Sequence, residues 1–87
     1  MAALIVNRSA FERLVEPDPH ERGRIGVRAR VWLRIPISGS SVLHEVESPG
    51  IWDIELPAEE SFLAEVFQDE CDDLAAMLEA LGVEVVY

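Results

Sequence analysis

Few side chains in this sequence could do chemistry, and each stands in a setting that argues against it. Cys71 and His44 could form a nucleophile pair, with the imidazole taking the thiol proton. However, Asp69, Glu70, Asp72 and Asp73 surround the thiol, and negative neighbours disfavour the reactive thiolate. The expected Cys71 is a half-buried, inert thiol at the edge of a helix stripe. His44 alternates with apolar residues, which suits a core or edge histidine better than a base. His20 lies in a Pro-flanked loop, with no second His or Cys spaced to share a metal. Asp69-Glu70 and Asp72-Asp73 could be imagined around a hard cation. A calcium loop, though, wraps oxygen ligands around the ion with a Gly at the bend, and a helix cannot do that. Phosphate-loop, nucleophile-elbow and metalloprotease motifs are absent. The expectation is a protein that is not an enzyme, with no cofactor and no metal.

The charged rows are more informative. Pro57 to Leu81 predicts one long acidic amphipathic helix. With Phe62 at zero and about 100° per residue, Val66, Met77, Leu63, Leu81, Leu74, Phe67 and Leu78 fall within about 160°. Pro57 suits the first helical position, where its missing N–H costs nothing, and Gly82 suits a left-handed stop. Glu65, Asp69, Asp72 and Glu79 occupy the opposite face. Glu65/Asp69 and Asp69/Asp73 are like-charged at i,i+4, which costs helix stability, and Asp is a poor mid-helix residue. Carboxylates one turn apart are about 5–6 Å apart, near the phosphate pitch of a nucleic-acid strand. Such a row could occupy a basic groove meant for nucleic acid. Glu70 breaks the pattern, since it falls in the middle of the apolar stripe. It is expected to be at least half buried and held by an arginine, Arg13 being one candidate, or by backbone N–H groups.

Arg24 to Ile37 alternates apolar and polar residues over its whole length, which predicts a long strand with an apolar face and an arginine face. Trp32 among Arg28, Arg30 and Arg34 has the look of a nucleic-acid platform. Glu45 and Glu47 on the next strand would neutralise part of it, so cross-strand ion pairing is the expected role. A two-residue Gly39-Ser40 loop would pair Leu33 with Val46, Arg34 with Glu45 and Trp32 with Glu47. Around these, Ala3–Asn7 is expected as a strand. Ser9-Ala-Phe-Glu12 has capping-box spacing, which predicts a short helix from Ala10 to about Glu16, ended by Pro17-Asp-Pro19. Ile51–Leu56 reads as a strand with Trp52, Ile54 and Leu56 on one face, and Val83–Tyr87 as a terminal strand.

Composition sets the frame. The chain has 87 residues, 49% of them hydrophobic, with net charge −10 and mean hydropathy +0.14. That argues for one folded domain, residues 1–87, rather than disorder. No apolar run reaches membrane-spanning length, and Met-Ala-Ala-Leu-Ile-Val lacks the basic start and full apolar run of a signal peptide. One cysteine excludes an internal disulfide, which fits a reducing cytoplasm. All 7 Arg fall in residues 1–34 against 4 acids, while residues 35–87 hold 17 − 4 = 13 acids and no base. Salt or genome adaptation accounts for such a layout, and so does a surface built to meet a cationic partner.

The segment Ser48-Pro-Gly-Ile-Trp-Asp-Ile-Glu55, followed by an acidic helix, resembles one in small uncharacterised bacterial and phage-type open reading frames. Those often carry Ser, Gly, Leu-Trp-Gly and Ile-Glu ahead of the helix. Here Asp53 stands where a second Gly is frequent, and Leu56-Pro57 replaces a Ser/Asp-rich lead. The resemblance covers roughly the C-terminal half, implies a mobile-element origin and brings no activity with it.

The expected fold is α+β: a small antiparallel-rich sheet, a short N-terminal helix and a long acidic C-terminal helix. The order βαββαβ, ferredoxin-like with Ile51–Leu56 as an extra strand, is the candidate topology. The expected function is that of a non-enzymatic acidic binding module whose row Glu65, Asp69, Asp72, Asp73 and Glu79 meets a basic, nucleic-acid-handling protein. A phage or mobile-element inhibitor of the DNA-mimic type, such as an anti-CRISPR or anti-restriction protein, fits that description. No direct nucleic-acid or membrane partner is expected. The alternative is a homo-oligomeric accessory domain, for instance a homodimer in which basic sheet face meets acidic helix.

Overall fold

The long alternating strand is the axis of the molecule. The computed structural model describes residues 4–87. Its elements in order are β1 (Ile5–Asn7), a 3-10 turn (Arg8–Ala10), β2 (Glu12–Pro17), β3 (Arg24–Ile37), β4 (Ser40–Glu47), β5 (Ile51–Glu55), α1 (Glu60–Ala80) and β6 (Glu84–Val86). β3 has the bounds that its period-two pattern predicts. β2 and β5 pair antiparallel with its first half, and β4 pairs antiparallel with its second half. β1 and β6 form a separate parallel pair, with Val6 beside Val85. The fold is therefore α+β, a four-stranded antiparallel sheet with one long helix. Ala3, the expected first residue of the opening strand, lies outside the described residues.

The short N-terminal helix shrinks to one 3-10 turn, and most of the residues expected in it form β2. Asn7, not Ser9, caps that turn, its side-chain oxygen accepting from the Ser9 N–H at 2.8 Å. A helix of two turns is marginal alone. Pairing along β3 gives residues 12–17 a full ladder, buries Phe11 and sets Glu12 opposite Arg30. A strand thus stands where a βαββαβ order would have its first helix.

The hairpin loop is Ser38-Gly39, one residue earlier than expected. Both residues have positive φ, 32° and 82°, as a type I′ turn requires, with Gly at the more strained position. Val31 therefore faces Val46, Trp32 faces Glu45, and Leu33 faces His44. A shift of two leaves every side chain on its expected face, so alternation cannot separate the two registers.

β5 also departs from simple alternation. Asp53 has φ 62°, and the ladder to β3 slips between Ile25 and Val27. This bulge sends Trp52 and Ile54 to opposite faces. Ile54 joins the core, while the Trp52 ring lies over Gly26 on the arginine face, where any Cβ would collide with it.

α1 starts at Glu60, so Pro57 belongs to the preceding turn rather than to the first helical position. Its end is as expected. Gly82 has φ 87°, its N–H donates to the Glu79 carbonyl at 3.0 Å, and the Val83 N–H donates to the Leu78 carbonyl at 2.9 Å. These two bonds make a Schellman stop. The helix lays Leu74, Leu78, Cys71 and Ala75 against Ala29, Val31 and Leu33 of β3, with Phe11, Val46, Val83 and Val85 closing the core. Fully burying a leucine such as Leu74 contributes about 2 kcal/mol. Phe62, Met77 and Leu81, expected in the stripe, are exposed. The small side chains Cys71 and Ala75 let the helix lie close to the sheet, and the buried arc turns toward them.

Candidate functional site

The helix carries carboxylates on both its faces, and the inward one is bonded through one oxygen, Oε1, while its buried Oε2 has no partner among the described residues. Glu70 is 1% exposed. Its Oε1 accepts from the Ser48 hydroxyl at 2.8 Å and from the Gly50 N–H at 2.6 Å. The Ser48 oxygen in turn accepts from the Ala29 N–H at 2.9 Å, and the Ser48 N–H donates to the Ala29 carbonyl at 2.8 Å. Glu70 thus ties the helix to the β4–β5 loop and, through Ser48, to the central strand. The expected burial and backbone N–H donor are both present, but no arginine is. Arg13 instead pairs with Glu60 at the start of the helix, at 2.5 Å. Ser48 and Gly50 were not legible as donors, because nothing in the sequence places a loop beside residue 70. Gly50 has φ 94°, and a Cβ there would sit 2.6 Å from Arg28 Cγ.

The outward carboxylates are placed differently. Glu65, Asp69, Asp72, Asp73 and Glu79 are all exposed. Arg8 reaches Asp72 at 2.7 Å and stacks on Tyr87 with its guanidinium carbon 5.3 Å from the ring centre. Among the described residues, no arginine reaches Glu65, Asp69, Asp73 or Glu79. Glu65, Asp69 and Asp73 recur every four residues, so they form one row along the helix, about 12 Å from end to end at 1.5 Å per residue.

The arginine face is neutralised from both sides. Arg28 bonds Glu16 on β2 (Nε at 2.7 Å) and Glu47 on β4, and Arg30 lies between Glu12 (3.3 Å) and Glu45 (3.4 Å). Arg28 also lies over Trp52 and Arg30 over Trp32, at 5.7 and 5.5 Å from the ring centres. Hydrogen bonding to the Glu45 carboxyl, and then burial, push the Glu47 pKa up despite Arg28 beside it. The expected cross-strand pairing is present, with acids from both flanking strands. Arg34 faces Leu43 rather than Glu45 and donates to the Ser41 hydroxyl at 3.0 Å.

The other chemistry-bearing side chains are not brought together. Cys71 is buried, not half-buried. Burial pushes its thiol pKa up, and Asp72 and Glu70 add to this against Arg8. His44 is exposed on β4, opposite Leu33. His20 belongs to the β2–β3 turn, where its N–H donates to Asp18 Oδ1 at 2.7 Å. That bond, with others from the Asp53 and Glu21 N–H groups, holds the Asp18 carboxyl below the usual carboxylate range. Among the described residues, no group of three His, Cys, Asp or Glu could hold a metal. Among the same residues, no helix is long and apolar enough to cross a membrane.

A groove that sequence reasoning missed lies where β5 turns into the helix. It is an open groove of about 760 Å³ between β5, the Leu56–Glu59 turn and Phe62. Ile51, Leu56 and Phe62 are exposed along it. Phe62 stands three residues before Glu65, so the groove opens at the head of the acidic row. The chain matches no protein-family model, no curated protein and no solved structure.

Proposed function

We propose that this protein is a non-enzymatic binding module whose acidic helix row engages the basic surface of a nucleic-acid-handling protein and inhibits it by standing in for nucleic acid. The observation that supports the reading most is the separation of charges. Five of the seven arginines, Arg8, Arg13, Arg24, Arg28 and Arg30, are held by carboxylates of this same chain. Glu65, Asp69 and Asp73 keep a solvated row without a counter-charge among the described residues. Like charges at i,i+4 weaken a helix, and a row with that cost suits a surface meant to meet positive charge. A counter-defence inhibitor of the anti-CRISPR or anti-restriction type is the functional class this describes. Self-association between sheet face and helix has less support, because Arg28 and Arg30 are each already flanked by two carboxylates.

The test is capture from host lysate by the wild type and by the triple variant Glu65→Gln/Asp69→Asn/Asp73→Asn. The wild type should retain a DNA- or RNA-binding protein that an oligonucleotide displaces, and the variant should lose it with its circular dichroism unchanged. A partner held equally by the variant, or indifferent to oligonucleotide, would overturn the proposal.

A further inference from the structure

The acidic row does not stand alone, and the groove at its head adds a chemistry that charge by itself lacks. Ile51, Leu56 and Phe62 line it at 43%, 50% and 47% exposure. Three large apolar side chains at one concave place are an exposed patch of the kind that marks an interaction site. The groove's rim carries Asp53, Glu55 and Glu59 against Arg24 alone, three acids to one base, net −2. Arg24 reaches only Asp53, at 3.7 Å. Glu55 and Glu59 are exposed, with no ion pair among the described residues. Phe62, Glu65, Asp69 and Asp73 follow one another at three- and four-residue spacing, so apolar groove and acidic row share one side of α1. The row ends one turn later at Met77, which is also exposed.

We infer that this side of the molecule is a two-part docking site for a basic protein segment. An aromatic or branched apolar anchor enters the groove at Phe62, and Arg or Lys side chains lie along Glu65, Asp69 and Asp73. The charge pattern commits the occupant: an acidic rim repels phosphate and acidic peptides, and a purely basic strand leaves the apolar floor wet. The anchor supplies binding that survives salt, since burial of apolar surface is not screened, while exposed charge pairs are. The row supplies orientation and rate of encounter. This inference rests on the proposed engagement of a basic partner and adds where on that partner the contact falls. The recognised element is a segment that couples an apolar side chain to a basic run.

A random phage-displayed dodecapeptide library panned on the folded protein tests this without a known partner. The expected winners pair an aromatic or aliphatic residue with Arg or Lys within the next few positions. A synthetic winner should bind the exposed-residue variants Phe62→Ser and Leu56→Ser about tenfold more weakly than wild type in 0.5 M salt. It should also shift the NMR signals of both Ile51 and Asp69 in the unaltered protein. Winners that are basic but lack an apolar residue, and that bind both serine variants as wild type, overturn the inference while leaving the acidic-row function intact. Winners without basic residues, or no enrichment at all, overturn both. A wild-type dimer that becomes a monomer in Phe62→Ser, with no peptide enriched, assigns the groove to a second copy of this chain and also overturns the inference.

Discussion

Two carboxylates one residue apart on α1, Asp69 and Glu70, face opposite environments. Glu70 is closed off from water and accepts two hydrogen bonds within the chain, while Asp69 stands in solvent between Glu65 and Asp73. The first is a structural joint, because a buried acceptor that loses its donors costs far more than it contributes when paired. The second is a surface feature whose energetic cost to the fold is small. An abundance of acid in a sequence therefore says little about any one acid. Helical phase separates the two kinds.

The comparison breaks most directly at Glu70. Glu70→Ala removes the acceptor of both the Ser48 hydroxyl and the Gly50 N–H and leaves a void in the core. We expect a loss of about 3 kcal/mol in urea unfolding. Glu70→Gln keeps an oxygen for both donors and should lose about 1 kcal/mol. Equal losses for the two variants would mean that the joint needs the carboxylate itself, since glutamine keeps both the volume and an acceptor oxygen.

The next effect tests the loop that Glu70 anchors. Gly26 has no room for a Cβ under the Trp52 ring, which the Asp53 bulge has placed on the arginine face. Gly26→Ala should cost about 2 kcal/mol through overpacking. It should also change the tryptophan emission as the ring lifts from Arg28. An unchanged spectrum with unchanged stability would place Trp52 elsewhere.

These two sites also show what could be read ahead of the structure. The burial of Glu70 was legible because helix geometry leaves an inward position no other direction. Its partners were not, because Ser48 and Gly50 meet it through a loop whose path no local pattern records. β3 was legible from end to end for the same kind of reason, its period being sustained over the whole strand. The hairpin register was not legible, since period two is blind to a shift of two. Residues 12–16 read as helix because Ser9 and Glu12 carry helix-start spacing, whereas the deciding interaction, pairing along Ile25–Arg30, is not local. On the outward side of α1, the acidic row is visible in the spacing and the apolar groove is not. Phe62 falls on the edge of the stripe by periodicity, and only the turn before Glu60 shows that it points away from the core.

The smallest expected effect on stability belongs to the outward row, and there its sign matters more than its size. Neutralising Asp69 and Asp73 to Asn removes the i,i+4 repulsions with Glu65 and with each other, each worth a few tenths of a kcal/mol at low salt. The Asp69→Asn/Asp73→Asn variant should therefore be slightly more stable than wild type in 10 mM buffer, where screening is weak. The difference should shrink as the Debye length falls to about 8 Å near physiological ionic strength, and vanish toward 1 M, where it drops below the spacing of the row. A partner surface predicts that wild-type melting temperature then levels off with further salt, because nothing is left to screen. Adaptation to salt predicts the opposite, a continued rise above about 1 M, where the Debye length is only about 3 Å and simple screening is complete. A melting curve that still climbs there, equally in wild type and variant, would remove the energetic reason for reading the row as a surface kept for binding.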